Sequence, residues 1–494
     1  MANANQNWAK HQDMISFIQR LEELTAEAPL TPAITCANES ISRVDLLKAG
    51  YNLAVYLHGH GVREGDMVTV AVPNSIDFFI SYIAAWRLGA TPQPISSRLP
   101  QRELDAIIDL AKSTAVIGVA EGSISGRVCV PTGFRAPDAD SSHLPYVISK
   151  AWKAPTSGGS TGRPKLIVSG DPAALDPAAP LPLLMQKGGC LVMPGPLYHN
   201  GPAVWSCQAW LNGLHVVLLP RFDAIGTLEA IEKHQGTVLY MVPTMMKRIT
   251  RLPEDERLSF DLSSLQVVWH LAEPCPEWLK QEWIDWLGAE RIFELYAGTE
   301  AQIATVITGV EWLAHRGSVG QTIPGTVSIT DEDGNEVPVG EMGEVWMRSP
   351  RETPTYKYVG ATARTRDGGW ESLGDMGRLD ADGYLYLGDR AADMILSGGA
   401  NIYPAEIESA IQEHPAVKSC AVIGLPDEDK GSVIHAIIEA NSSEVSESEL
   451  KSFLGERLVI YKVPRTFEFV DFALRDDAGK VRRSALRAER LPSN

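Results

Sequence analysis

Residues Thr156–Ile167 read TSGGSTGRPKLI. Glycine, serine and threonine in succession leave backbone N–H groups unshielded, and Lys165 adds a cation, so the stretch suits wrapping around phosphate oxygens. It is not a Walker P-loop, because Gly158 is followed five places on by Arg163, and Leu166 rather than Ser or Thr follows Lys165. Gly158–Gly162 also fits the GxSxG pattern of a hydrolase nucleophile elbow, which needs a helix directly after it. Pro164 and the β-like run Leu166–Val168 follow instead. Taken alone, a plain Gly/Ser surface loop is an equal alternative.

On both sides of this loop apolar periodicity alternates between strand and helix. Met67–Val72 (MVTVAV) predicts a strand closed by Pro73, Ser75–Leu88 a helix ending at Gly89, Arg102–Lys112 a helix and Ala115–Val119 a strand. Val216–Leu219, Val238–Val242 and Leu265–Trp269 are further apolar runs between helical stretches. This βαβα order predicts an α/β fold with parallel sheets covered by helices. Around residue 330 the texture turns β-like, with Val327–Ile329, Gly343–Met347 and Gly383–Leu387 separated by DEDGNE and DADG turns. After Arg390, helices Ala405–Glu413 and Glu447–Arg457 with strands Ser419–Gly424 and His435–Ala440 predict a small α+β domain.

The 494 residues are 44% hydrophobic and 21% charged, with a net charge of −18, which argues for a globular chain and against nucleic acid as a partner. Six scattered cysteines show neither a disulfide framework nor zinc-ligand spacing, favouring a reducing compartment. The polar N-terminus lacks a signal-peptide core, and no apolar run approaches the roughly 20 residues of a membrane span. The expected location is the cytoplasm, with no membrane partner.

Four more segments follow the loop in order: FELYAGTEAQ (Phe293–Gln302), GDMGRLDADGYLYLGDR (Gly374–Arg390), SGGANIYPAEIE (Ser397–Glu408) and YKVPRTFEFVDFALRDDAGKVRR (Tyr461–Arg483). Together the five resemble the ordered core motifs of the adenylate-forming superfamily of acyl-CoA synthetases, peptide-synthetase adenylation domains and luciferases, from about Pro155 to Arg483. PLYHNGP, PCPEWLKQEWIDWLG and GGANIYPAEIE are most similar to ligases for bile acids and other steroid-like acids, with similar enzymes in terpenoid pathways. The resemblance implies an N-terminal domain of residues 1–389, with two α/β subdomains and a β subdomain, and a mobile C-terminal domain of 391–494 hinged at Arg390.

It also implies a chemistry. A carboxylate is a poor electrophile; attack on the α-phosphorus of ATP converts it to a mixed anhydride and expels pyrophosphate, and the thiol of coenzyme A then displaces AMP. The protein contributes positioning and charge neutralisation. By resemblance, Ser157, Gly158, Gly159, Ser160, Thr161, Gly162 and Lys165 hold the β- and γ-phosphates, Thr299 meets the α-phosphate and Glu300 helps hold Mg²⁺, which prefers oxygen ligands. Asp375 takes the ribose hydroxyls, Arg390 reaches the ribose, and Glu273, Pro274 and Tyr296 complete the nucleotide site. Lys480 bridges acid and ATP. His199 lies beside the carboxylate, where orienting the acid and plain packing are equal readings. Trp205, Val242, Ala297 and Gly298 fall to the acyl pocket, and Ser397, Gly398 and Gly399 to the CoA channel after the C-terminal domain rotates. Without the motif context, Glu300 would read as a solvated helix start, Asp375 as a turn residue and Lys480 as surface charge.

Three positions depart from the family pattern. Ala297 stands in a Tyr-Gly-x-Thr-Glu motif where glycine is usual, Ala301 follows the motif where similar ligases carry glycine, and Ala392 replaces the usual hinge Asp or Lys. Glycine permits positive φ or close approach to a ligand. The departures are either benign or impair adenylation, in which case a companion enzyme supplies the adenylate. An adenylation enzyme serving a carrier protein, a silent binding protein and a serine hydrolase are the other readings. The partner expected in every ligase reading is a bulky, apolar carboxylic acid; a homo-oligomer is compatible with the sequence.

Overall fold

The computed structural model describes residues 14–158, 164–390, 393–397, 400–427, 431–441, 445–476 and 479–491. The first unit holds a parallel sheet ordered Thr91–Pro94, Met67–Val70, Ala115–Ile117, Val128–Val130. Every residue of the helix Ile76–Arg87 is buried. It touches strands of both large sheets, with Phe79 and Trp86 set 5.2 and 6.0 Å from the Trp210 ring. That explains a helix apolar except at Ser81, at Asp77, which is paired with Arg135, and at Arg87, which donates to the Leu144 carbonyl.

The site-bearing elements follow. β1 (Thr156–Gly158) and β2 (Pro164–Ser169) are antiparallel, and β7 (Tyr356–Val359) pairs with β2. The second unit is a nine-stranded sheet. Its centre contains Cys190–Met193 and then β3 (Val238–Met241), β4 (Val267–Leu271) and β5 (Ile292–Ala297) in parallel, with β6 (Ala304–Thr308) antiparallel beyond them. Helices α1 (Asn200–Leu211), α2 (Pro243–Thr250) and α3 (Glu277–Leu287) connect this region. β8 (Asp375–Leu379) and β9 (Leu385–Arg390) belong to a six-stranded β layer with Gly343–Arg348 and Thr326–Thr330.

α4 (Pro404–Gln412), β10 (Ser419–Asp427), β11 (Gly431–Glu439), the helix Glu447–Gly455 and β12 (Thr466–Val470) build a separate core around Ile407, Val422, Ala436 and Leu450. The chain is thus a mixed α/β fold with a large N-terminal and a small C-terminal domain. Among the described residues no helix is long and apolar enough to cross a membrane.

Differences from the sequence expectation lie at element ends. Ser75 is an extended N-cap outside its helix. Gly383, at φ 80°, belongs to the DADG turn, so its strand begins at Leu385. The strand within Met67–Val72 ends at Val70, and Ala71 adds one bond to the Ile117 carbonyl at 2.8 Å ahead of Pro73. Gly158 leads into an antiparallel β hairpin and not into a helix, which removes the geometry a nucleophile elbow needs.

Candidate functional site

The β1–β2 hairpin brings the phosphate-loop candidates to the ends of two paired strands. Ser157 pairs with Lys165 and Gly158 with Pro164 through the backbone. Gly159, Ser160, Thr161 and Gly162 lie outside the described residues, as do Gly398, Gly399 and Ala392. The Lys165 ammonium donates to the Tyr358 hydroxyl at 2.9 Å and to Glu300 Oε1 at 3.3 Å, and it stands 4.1 Å over the Tyr358 ring. Tyr358 in turn donates to Glu300 Oε1 at 2.5 Å, and Thr355 donates to the Glu300 carbonyl at 2.8 Å. Burial, with the Glu300 carboxylate beside it, holds the Tyr358 phenol well above its usual range. Lys165 and Glu300 were legible from sequence; Tyr358 and Thr355 were not, because TPTYKYV carries only a strand signal.

Tyr296, near the end of β5, donates to Asp375 Oδ2 at 2.6 Å, and Asp375 pairs through the backbone with Arg390. Two predicted nucleotide residues and the predicted junction therefore meet in one place. Gly298 follows in close contact: a Cβ there would collide with Leu373 and lie 3.0 Å from Glu300 Oε2. Thr299 is half-buried in the turn that leads to the buried Glu300. The Ala297 backbone is ordinary strand, in register with Ala304 and exposed. Positive φ falls instead on Ala301, at 55°, and on Ala272, at 74°, next to Glu273. The position where glycine geometry matters is thus Ala301, while Ala297 has no backbone reason to be glycine.

The C-terminal domain closes the site. Gly479, at φ 76°, packs so tightly on Glu273 that a Cβ would overlap the carboxylate. Glu273 Oε2 accepts from Thr244 Oγ1 at 2.8 Å and lies 3.8 Å from Arg475. Its Oε1 is buried without a hydrogen-bond partner, and burial pushes its pKa up to about 7 against the opposing pull of Arg475. Pro274 follows, exposed. His199 caps α1. Burial, reinforced by the charge of Lys480, lowers its pKa to about 4, so it is neutral near pH 7. Its Nε2 is buried and unpaired. Lys480, Glu273 and His199 therefore share one locality, whereas Ser397 ends the strand Ile395–Ser397 and takes no part in these contacts.

Trp205 and Val242 are both buried. Trp205 meets Tyr240 at 5.4 Å and Trp269 at 5.9 Å, and Trp269 meets Phe293 at 5.2 Å. Strand alternation explains the row: Tyr240 and Trp269 are in register across β3 and β4, and Trp269 and Phe293 across β4 and β5, so all three face α1. Val242 caps α2 ahead of Pro243. The donor set suits ATP and Mg²⁺: a lysine and strand-end backbone for phosphates, and a buried carboxylate, a hard oxygen ligand, for the cation.

The family model for AMP-binding enzymes matches residues 21–357, and that for the AMP-binding enzyme C-terminal domain matches 406–480. The chain is 31% identical to a feruloyl-CoA synthase of Amycolatopsis sp., covering 93% of this chain and 96% of that protein. It is 30% identical to the 3-[(3aS,4S,7aS)-7a-methyl-1,5-dioxo-octahydro-1H-inden-4-yl]propanoyl:CoA ligase of Rhodococcus jostii, covering 89% and 92%. The o-succinylbenzoate CoA synthetase of Bacillus subtilis, solved with its acyl-adenylate, superposes with a TM-score of 0.79 at 25% identity over 96% of this chain and 98% of that one. The same synthetase, solved with ATP and a magnesium ion, gives 0.79 at 25% over 96% and 99%. The chain belongs to the AMP-binding enzyme family of the adenylate-forming superfamily, and within it to the AMP-forming acyl-CoA ligases, which use ATP, Mg²⁺ and CoA.

Proposed function

We propose that this chain ligates a ring-bearing, mostly apolar carboxylic acid of steroid- or terpenoid-like bulk to CoA through an acyl-adenylate. The observation that carries the substrate class is the aromatic row Trp205, Tyr240, Trp269 and Phe293 between α1 and the sheet. The four rings are almost fully buried in the main core and pack on one another at 5.2–5.9 Å, within the favourable range for aromatic pairs, so the row would form the aromatic backing of the acid side. Two relatives are named for ferulate and for a bicyclic dione acid and a 31% identical one for long-chain fatty acids, so the ring class rests on the aromatic row.

In this reading Lys165 and the backbone around Ser157–Gly158 take the outer phosphates, and Glu300, which now accepts from Lys165 and Tyr358, would hold Mg²⁺, which would supply positive charge to the phosphate oxygens. Asp375, oriented by Tyr296, accepts the ribose hydroxyls. Lys480, presented beside the neutral His199, balances charge while the carboxylate oxygen attacks the α-phosphorus and pyrophosphate leaves. The C-terminal domain then swings about Arg390, withdrawing Lys480 and bringing the 397–399 segment to the thiol path. The thiolate attacks the acyl carbon and AMP departs. The regular strand geometry of Ala297 favours one chain performing both steps over a dependence on a companion adenylating enzyme.

Pyrophosphate release and thioester formation across fatty, aromatic, steroid and terpenoid acids test this reading. Ring-bearing acids should exceed linear ones of equal carbon number by about tenfold or more in kcat/KM, a factor within reach of apolar pocket fit. Preference for linear chains, or no thioester from any acid, would refute it.

A further inference from the structure

Lys153 lies four residues before Ser157 and is 7% exposed. Its backbone is fixed, since its carbonyl accepts from the Ser169 N–H at 3.0 Å. The ammonium donates to Asn200 Oδ1 and stands 4.8 Å over the Trp152 ring. Asn200 opens α1 immediately after His199, so this cation borders the acid side of the site.

What Lys153 lacks is a counter-charge. Among the described residues no carboxylate lies within ion-pair distance of it; of the acidic groups that influence it, the Cys207 thiol is kept protonated by burial, and the two carboxylates are engaged elsewhere. Asp171 is held by Arg351 at 2.5 and 3.1 Å, and Glu300 by Lys165 and Tyr358. Burial lowers the Lys153 pKa to about 8, which leaves it largely protonated at neutral pH. Lysines this buried are ordinarily paired, because an ammonium stripped of water and left with a single neutral acceptor is costly. Two of its three N–H groups remain for a ligand.

We propose that Lys153 and Asn200 form a second oxygen-binding point in the acid subsite, so that the acid ligated by this chain carries, besides its reacting carboxylate, a further carboxylate or a ketone on its ring body. The inference rests on the ligase reading above and narrows its substrate class. The apolar row receives the rings, and the buried ammonium receives the extra oxygen. Lys153 acts here as a specificity residue, with no part in the bond-making steps.

The test uses matched ring acids that differ only by a ketone or second carboxylate, with kcat/KM for thioester formation read for each. The wild-type chain should prefer the oxygenated member by about tenfold or more, since a buried donor left unpaired penalises the analogue that lacks its acceptor. Lys153→Met should bring that ratio close to one, chiefly through KM, with Lys153→Gln as a second variant and thermal unfolding as the check on folding. A wild type that turns over both members equally overturns this inference and leaves the ligase reading standing. An equal fall on both acids in the variants, with the ratio intact, also overturns it, because it marks a structural lysine. No thioester from any acid refutes both readings together.

Discussion

Gly298 has no space for a side chain, because Leu373 and Glu300 Oε2 occupy the volume a methyl would need. Gly298→Ala should displace Glu300, and a shift of about 1 Å in a near-attack arrangement costs on the order of a hundredfold in rate. The expected result is a ten- to hundredfold loss of acid-dependent ATP–pyrophosphate exchange; retention of full exchange would show that Leu373 yields without disturbing the site. Ala297 behaves differently. Its exposed strand position asks nothing of glycine, so Ala297→Gly should leave the exchange rate within about threefold of wild type, as for surface changes away from special geometry. A large gain would revive crowding by the methyl. The motif made Ala297 conspicuous, yet backbone strain sits at Ala301 and Ala272, and φ cannot be read from residue type alone.

At the scale of elements, the C-terminal domain hangs on Glu408 of α4. Its carboxylate accepts from the Val422 N–H at 2.8 Å, from Arg483 at 2.8 and 2.9 Å, and from Arg475 at 3.1 Å. Glu408→Ala would strip Arg475 and Arg483 of their shared buried carboxylate and leave the longer contacts of Arg475 to Glu273 at 3.8 Å and of Arg483 to Asp393 at 3.4 Å, and breaking a buried ion cluster costs about 3–5 kcal/mol. Urea unfolding of the intact chain should show the C-terminal transition at lower denaturant; an unchanged midpoint would reduce the cluster to surface pairing. α4, β10 and β11 were legible because their apolar periods are regular, to within a few residues at the ends. The role of Glu408 was not, since Arg475 and Arg483 lie far along the chain and only the folded domain joins them. Tyr358 and Lys153 were hidden for the same reason: each reads as an ordinary strand or surface residue until β7 or α1 packs beside it. Lys165, Glu300, Tyr296, Asp375 and Lys480 were singled out through the resemblance of their segments, and the fold brings Lys165 to Glu300 and Tyr296 to Asp375 within hydrogen-bond distance.

At the scale of the molecule, the docked C-terminal domain buries two titratable groups of opposite sign. Glu273, facing Arg475, Asp476 and Thr244, is raised by burial from 4.5 to about 7. The docked form therefore holds the extra proton, and this contribution to docking is full below pH 4.5 and lost as pH rises through about 7. Lys247, which donates to Gln412 across the interface and feels Arg251, Arg475, Cys420 and Glu439, is lowered by burial from 10.5 to about 7. There the undocked form holds the extra proton, so docking gains strength as pH rises from about 7 toward 10.5. Docking should be weakest near neutral pH, where the proposed alternation would run. Energy transfer between probes on the two domains should show this minimum, with Glu273→Gln removing the rise on the acid side and Lys247→Met that on the alkaline side; a profile identical in all three proteins would contradict it. The central claim is that one chain performs both half-reactions, with Lys480 delivered by the C-terminal domain for the first alone. Its most direct test is ATP–pyrophosphate exchange without CoA, beside thioester formation from supplied acyl-adenylate, in wild type and Lys480→Ala. The account predicts both activities in wild type, and in the variant a loss of exchange on the order of a hundredfold or more, as for removal of one charge-stabilising group, with thioester formation largely kept. Equal loss of both half-reactions in the variant, or no exchange in wild type with its acid, would contradict it.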